Sequence, residues 1–73
     1  MTRLPRVTGK DLKNALLKLG FRSVYVRGSH HYLEPIKGGR LVTIHAGKIL
    51  KPKTLKGILE QSGITVEELI EKL

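Results

Sequence analysis

The chain has 73 residues and no cysteine, so its length predicts one domain over residues 1–73, and disulfide frameworks and thiolate zinc sites are excluded. Fourteen Lys and Arg against six Asp and Glu give a formal net charge of +8, which indicates a polyanionic partner. No apolar run approaches the roughly 20 residues of a membrane span, and no signal-like segment follows Met1, so we expect a soluble, cytoplasmic protein with no membrane partner.

The charge is segregated along the chain. Residues 1–59 carry 13 basic and two acidic side chains, whereas residues 60–73 carry one basic and four acidic side chains. A surface that serves solubility alone usually mixes both signs. The basic body therefore predicts nucleic acid as the polyanion.

The first predicted element is a helix that begins after Thr8 and stops at Gly20. Thr8 suits the N-cap, and Asp11 stands at the third helical position, where a carboxylate favours the first turn. Pro5 disfavours an earlier helix, so residues 1–7 are expected to form a short leader. Apolar residues then repeat at helical spacing: Leu12, Ala15, Leu16 and Leu19.

Three predicted strands follow, over residues 21–27, 30–35 and 40–45. Two glycine-containing pairs, Gly28-Ser29 and Gly38-Gly39, separate them. If both pairs are two-residue turns, the strand register is set. It pairs Arg27 with His30, Val24 with Leu33, Tyr32 with His45, and Leu33 with Ile44.

This register sorts the strand residues onto two faces. The apolar face is predicted to collect Val24, Val26, Leu33, Val42 and Ile44. The polar face is predicted to collect Arg27, His30, Tyr25, Tyr32 and His45.

Two helices complete the predicted order α-β-β-β-α-α. Pro52 suits the first position of a second helix, which Gly63 closes. Thr65 and Glu68 form a capping box for a short last helix. The apolar stripes are Leu55, Ile58 and Leu59 in the second helix, and Val66, Leu69, Ile70 and Leu73 in the third. The fold class is therefore α+β, with helices over one face of a three-stranded antiparallel sheet.

The segment Gly28-Ser29-His30-His31 carries the strongest chemical signal. Histidine is the side chain whose unperturbed pKa lies close to physiological pH, so it can both accept and donate a proton. Adjacent strand residues point to opposite faces, which argues against one metal held by both histidines; we predict neither a metal nor a cofactor. His30 shares the polar face with Arg27 and is the first candidate catalyst, and His31 is the alternative. Gly-Ser is also an ordinary hairpin connection, so the segment alone does not define an active site.

Four lysines cluster around the start of the second helix: Lys48, Lys51, Lys53 and Lys56. Positive charge there opposes the helix dipole, and a bound phosphate would offset that cost. A solvated lysine-rich face is the alternative, and the charge segregation favours phosphate binding. Tyr25 and Tyr32 could stack on bases, or only stabilise the sheet as a cross-strand pair.

Several segments match one known family in order and spacing, and Arg27-Gly28-Ser29-His30-His31 is the specific one among them. The others are Gly9-Lys10-Asp11-Leu12, Leu19-Gly20-Phe21, Val42-Thr43-Ile44-His45, Leu50-Lys51-Pro52, Thr54-Leu55 with Ile58-Leu59, and Ser62-Gly63-Ile64 with Glu67-Glu68. On these segments the chain resembles the HicA-type toxins of bacterial and archaeal toxin–antitoxin pairs.

The resemblance implies a double-stranded-RNA-binding-domain-like fold, here with an extra short C-terminal helix. It also implies a ribosome-independent ribonuclease that cuts mRNA and is neutralised by a HicB-type antitoxin. The family's single active-site histidine lies in the Gly-Ser-His segment and maps onto His30, with His31 as the alternative.

The prediction is therefore a metal-independent endoribonuclease. His30 would act as general base or acid, and Arg27 would stabilise the phosphorane charge. The RNA-binding residues would be Arg27, Gly28, Ser29, Lys48, Lys51, Lys53 and Lys56. A non-catalytic RNA-binding module of the same fold is one alternative, and a protein whose basic face only meets an acidic antitoxin is another.

Overall fold

The computed structural model describes residues 4–73 and confirms the predicted α+β order. The elements are α1 (Gly9–Lys18), β1 (Phe21–Arg27), β2 (His30–Pro35), β3 (Val42–His45), α2 (Pro52–Ser62) and α3 (Val66–Glu71). The strands form an antiparallel sheet in the order β1-β2-β3. This arrangement is double-stranded-RNA-binding-domain-like with a short additional C-terminal helix. The first three residues of the predicted leader lie outside the described residues.

The helices begin where the capping patterns predicted. The Thr8 hydroxyl accepts a hydrogen bond from Asp11 N at 3.1 Å, and the Asp11 carboxylate accepts one from Thr8 N at 3.4 Å. Thr65 and Glu68 repeat this capping box in front of α3, at 3.1 and 3.0 Å. Each box satisfies backbone N–H groups that the first helical turn leaves free. α2 instead begins with a proline at its first position.

The first hairpin has the predicted two-residue turn. Gly28 has φ +59°, and Ser29 does not have a positive φ, which is the pattern of a type II′ turn with glycine at its first central position. Arg27 therefore pairs with His30, as predicted.

The predicted pairing of Val24 with Leu33 is wrong. A bulge at Val24 places Ser23 opposite Leu33 instead, because a bulge sets two residues of one strand against one of its partner.

The sheet face predicted to be apolar is only partly covered. Leu33, Val42 and Ile44 are fully buried, but Val24 is 50% and Val26 47% exposed. β1 is an edge strand, and from Arg22 onward each of its residues is exposed. The helices thus cover β2, β3 and the Phe21 end of β1, so the prediction that Val24 and Val26 belong to the core is wrong.

The second hairpin differs from the prediction in its connection. β3 begins at Val42 rather than at residue 40, and residues 36–41 join it to β2. This longer connection moves the register by two residues, so that Leu33 pairs with Val42 and His45 pairs with His30. The predicted pairs Tyr32–His45 and Leu33–Ile44 are therefore wrong. A shift of two preserves the side-chain alternation, so each of these residues stays on its predicted face.

One hydrophobic cluster joins the helices to the sheet. It contains Val7, Leu12, Ala15, Leu16, Phe21, Leu33, Val42, Ile44, Leu50, Leu55, Ile58, Leu59 and Leu69. Leu69 of α3 is fully buried and Val66 packs against the cluster, whereas Ile70 and Leu73 of the predicted stripe are exposed. α3 thus attaches to the core through a narrower stripe than its sequence pattern predicted.

The start of α1 is tied to the chain that follows β3. Gly9 N donates to Lys48 O and Leu50 N donates to Val7 O, each at 2.9 Å. A Cβ atom on Gly9 would lie 1.9 Å from the carbonyl oxygen of His45. Glycine is therefore required for this approach, which brings the first turn of α1 toward the β1–β2 turn.

No helix within residues 4–73 has both the length and the apolarity needed to cross a membrane.

Candidate functional site

A groove lies where the first turn of α1 meets the β1–β2 turn. It has a volume of about 390 Å3 and is lined by Lys10, Lys13, Asn14, Gly28, Ser29, His31, Ala46 and Gly47. Two backbone hydrogen bonds join its walls: Ala46 N donates to Ser29 O at 2.8 Å, and Gly9 N donates to Lys48 O at 2.9 Å. Three separate segments of the chain therefore build one concave surface.

α1 contributes the positive charge of the groove. Lys10, Lys13 and Asn14 are spaced three and four residues apart, so they share one side of the helix, and all three line the groove. None of them was among the predicted site residues. Their helical spacing was visible in the sequence, but no sequence signal indicated that this side of α1 faces the Gly28-Ser29 turn.

His31 is the imidazole that faces the groove. It pairs with Val26 on one side and with Ile44 on the other, and its side chain is half-buried. Within residues 4–73, His31 Nδ1 is buried and has no hydrogen-bond partner. Any proton exchange between His31 and a molecule in the groove would therefore use the other ring nitrogen, Nε2.

His30 lies on the opposite side of the sheet, as the alternation of strand residues requires. Its ring contacts that of His45 edge-on, with centroids 4.8 Å apart and planes at 77°. Arg27 stands across from it in the register. The predicted Arg27–His30 pair is thus adjacent, but it faces away from the groove that contains His31.

The predicted RNA-binding residues divide among several places. Gly28 and Ser29 line the groove with His31. Lys48 and Lys51 line a second depression of about 330 Å3 beside His45. The remaining two lysines, Lys53 and Lys56, are exposed on α2 and line neither depression.

The two carboxylates of the basic body are engaged in local structure. Asp11 belongs to the capping box of α1, and Glu34 accepts a hydrogen bond from Arg22 Nε at 3.0 Å. Among residues 4–73 the structure shows one ion pair, between Arg22 and Glu34. The lysines that line the groove therefore keep their positive charge available for an anionic ligand.

No group of three or more His, Cys, Asp or Glu side chains placed to hold a metal ion occurs in the part of the chain that the structure describes.

Together the fold and the groove define a class of protein: a small basic α+β domain that brings a histidine and two lysines together in one groove. The family model of the HicA toxin of bacterial toxin–antitoxin systems matches residues 9–64, a range that includes every residue of the groove. No curated protein matches the chain significantly. Because the family match covers well over half of the sequence, the chain belongs to the HicA toxin family. It is thus the toxin of a toxin–antitoxin pair, and its partner is an antitoxin.

Proposed function

We propose that this toxin is a metal-independent endoribonuclease that cleaves mRNA in the groove, with His31 as its catalytic histidine. The observation that carries the proposal is the position of His31, half-buried in a groove that two lysines of α1 also line. Histidine supplies proton transfer at neutral pH. Lysine supplies charge for the scissile phosphate.

The proposed reaction is an internal transesterification. His31 Nε2 takes the proton of a ribose 2′-hydroxyl, and the 2′-oxygen forms a bond to phosphorus. Lys10 and Lys13 stabilise the negative charge that develops on the phosphoryl oxygens. The bond from phosphorus to the 5′-oxygen then breaks, this oxygen takes a proton from water, and the protonated His31 returns its proton to the hydroxide that remains. The products are a 2′,3′-cyclic phosphate and a 5′-hydroxyl end.

The sequence-based assignment of His30 as the catalyst stays as the alternative. It would locate the reaction on the other side of the sheet, with Arg27 as the stabilising cation. His31 is favoured because it lines a concave groove together with two lysines, whereas His30 is exposed. Cations positioned beside the reacting group stabilise the charge that develops on it.

The proposal extends to the partner and to the organisation of the chain. A HicB-type antitoxin would inhibit the toxin by covering the groove. The single hydrophobic cluster, which draws on every helix and strand, supports residues 1–73 acting as one domain. Because mRNA is the proposed substrate, we locate the protein in the cytoplasm.

The test compares His31→Ala with His30→Ala in the presence of EDTA. We expect His31→Ala to reduce the cleavage rate by roughly 10²- to 10⁴-fold, the usual contribution of a general acid–base group, and His30→Ala to reduce it by less than about tenfold. Circular dichroism and affinity for an uncleavable 2′-O-methyl RNA serve as controls for folding and binding.

The other outcomes decide among the alternatives. The reverse ranking of the two variants would assign catalysis to His30, and undiminished cleavage by both would reject a histidine mechanism. Tight RNA binding by a wild-type protein that never cleaves would favour an RNA-binding module. Negligible RNA affinity at low salt would favour the remaining alternative, a protein whose basic face only binds an acidic antitoxin.

A further inference from the structure

A second surface lies on the side of the sheet away from the helices. We call it the outer sheet face and define it by Tyr25, Arg27, His30, Tyr32, Thr43 and His45. These residues alternate with the buried Leu33, Val42 and Ile44, so they point away from the core. The proposed cleavage reaction does not use this surface.

Four aromatic rings lie on this face in two cross-strand pairs. The Tyr25 and Tyr32 ring centroids are 5.6 Å apart with planes tilted at 44°, and His30 contacts His45 at 4.8 Å. His30 and Tyr32 are two residues apart on β2, so the pairs are offset by roughly 6.6 Å along the strand. The two ring pairs thus lie next to each other on one face of the sheet.

The four rings differ in their exposure. Cross-strand aromatic pairs do stabilise sheets, yet Tyr25 is 57% exposed and His30 is also exposed, whereas Tyr32 and His45 are half-buried. The helices pack on the opposite side of the sheet, over Leu33 and Ile44. Tyr25 and His30 therefore remain accessible to a ligand.

The charge around the rings favours an anionic ligand. Arg27 lies on the same face, and Lys48 and Lys51 line the depression beside His45. Glu34, two residues beyond Tyr32 on β2, has a carboxylate that is bound by Arg22. Exposed aromatic rings flanked by cations suit single-stranded RNA, because the bases stack on the rings while the cations contact the phosphates.

We propose that the outer sheet face is a stacking platform for unpaired nucleotides of RNA, with Tyr25 and Tyr32 as its main contacts. This proposal rests on the proposed function, because it takes RNA to be the substrate of the toxin. His30 and His31 are consecutive and point to opposite faces, so the platform and the groove meet at the Gly28-Ser29 turn. An RNA strand held on the platform can pass around this small turn into the groove.

The test uses the chain's own fluorescence. The sequence contains two tyrosines and no tryptophan, so its tyrosine emission comes from the platform alone. The ligand is a single-stranded 2′-O-methyl oligonucleotide of eight nucleotides, which cannot be cleaved through its 2′-oxygen. An abasic oligonucleotide with the same number of phosphates is the matched control.

We expect the base-containing oligonucleotide to quench the tyrosine emission and to bind at least about fivefold more tightly than the abasic one. Tyr25→Leu should remove this preference and leave abasic binding unchanged, whereas Tyr25→Phe should keep it. Ile36→Ala, at an exposed residue beyond the far end of β2, should change neither affinity.

Equal affinity for the two oligonucleotides in the wild-type protein would overturn the proposal without any variant. Unchanged binding by Tyr25→Leu would overturn it as well, and so would equally tight binding of a fully paired duplex. None of these results depends on cleavage, so a failed platform leaves the assignment of His31 untouched. Conversely, undiminished cleavage by His31→Ala would reject His31 as the catalyst without contradicting the proposal of a stacking platform.

Discussion

Gly9 shows how far a single residue can determine this structure. Its missing side chain allows the start of α1 to approach the backbone at the end of β3, within a distance that no Cβ atom could occupy. That approach orients Lys10 and Lys13 toward the groove. The residue is therefore structural, yet the composition of the candidate site depends on it.

We predict that Gly9→Ala lowers the free energy of unfolding by roughly 1–3 kcal/mol or more, because the added methyl group forces the two backbones apart. Gly57→Ala is the matched control. Gly57 lies inside α2 with open space around its Cβ position, so the same substitution should raise stability by roughly 0.5–1 kcal/mol. Urea unfolding followed by circular dichroism measures both. A neutral effect at Gly9 would contradict the close approach.

At the level of elements, short helices depend on their caps more than on their propensity. α3 has six residues, too few to be stable alone in water. It is held by the capping box at Thr65 and by burial of Leu69. Loss of either should release the C-terminal acidic segment from the core.

We expect Thr65→Ala to lower the free energy of unfolding by about 1 kcal/mol, the usual value of an N-cap hydroxyl. Thr54→Ala is the control, because Thr54 lies within α2 rather than at a cap position and alanine is the better helix former there. Thermal unfolding should therefore show a lower Tm for the first variant alone. Equal Tm values in the two variants would show that the capping box contributes nothing.

The limits of sequence-based prediction also lie at the level of elements. Local chemistry was sufficient for the helix starts and for the Gly28-Ser29 turn, since both depend on residues within a few positions of each other. The second hairpin was not predictable, because Gly38-Gly39 suggested a tight turn where a six-residue connection is found. The exposure of Val24 and Val26 and the presence of Lys10 in the groove depend on how helices dock, which no local pattern determines.

Across the whole molecule, the segregated charge has a direct consequence for the proposed binding of RNA. The basic body lies in residues 1–59 and the acidic excess follows it. Binding that neutralises phosphates releases counterions, so affinity should fall linearly with the logarithm of salt concentration. The slope of that line is then proportional to the number of phosphates that lysine and arginine side chains neutralise.

We predict that Lys10→Gln and Lys13→Gln each lower the magnitude of this slope by roughly 1 and weaken binding about equally for different RNA sequences. Lys37→Gln is the matched control, since Lys37 lies in the connection at the opposite end of β2 from the groove. Fluorescence anisotropy with an uncleavable RNA at several salt concentrations measures the slopes. A slope unchanged by both groove variants would place the phosphate contacts elsewhere.

The three-segment construction of the groove has a consequence for the life of the protein in a cell. Its walls come from α1, from the β1–β2 turn and from residues 46–47 after β3, so they assemble only after the sheet has formed. A nascent chain that has emerged as far as the two histidines still lacks one wall. The same holds for a fragment that proteolysis has cut between β2 and β3. Under the proposed function, in which the groove is the site of cleavage, toxicity requires completed folding, and a host that synthesises this chain would be exposed to it only after the last strand is in place.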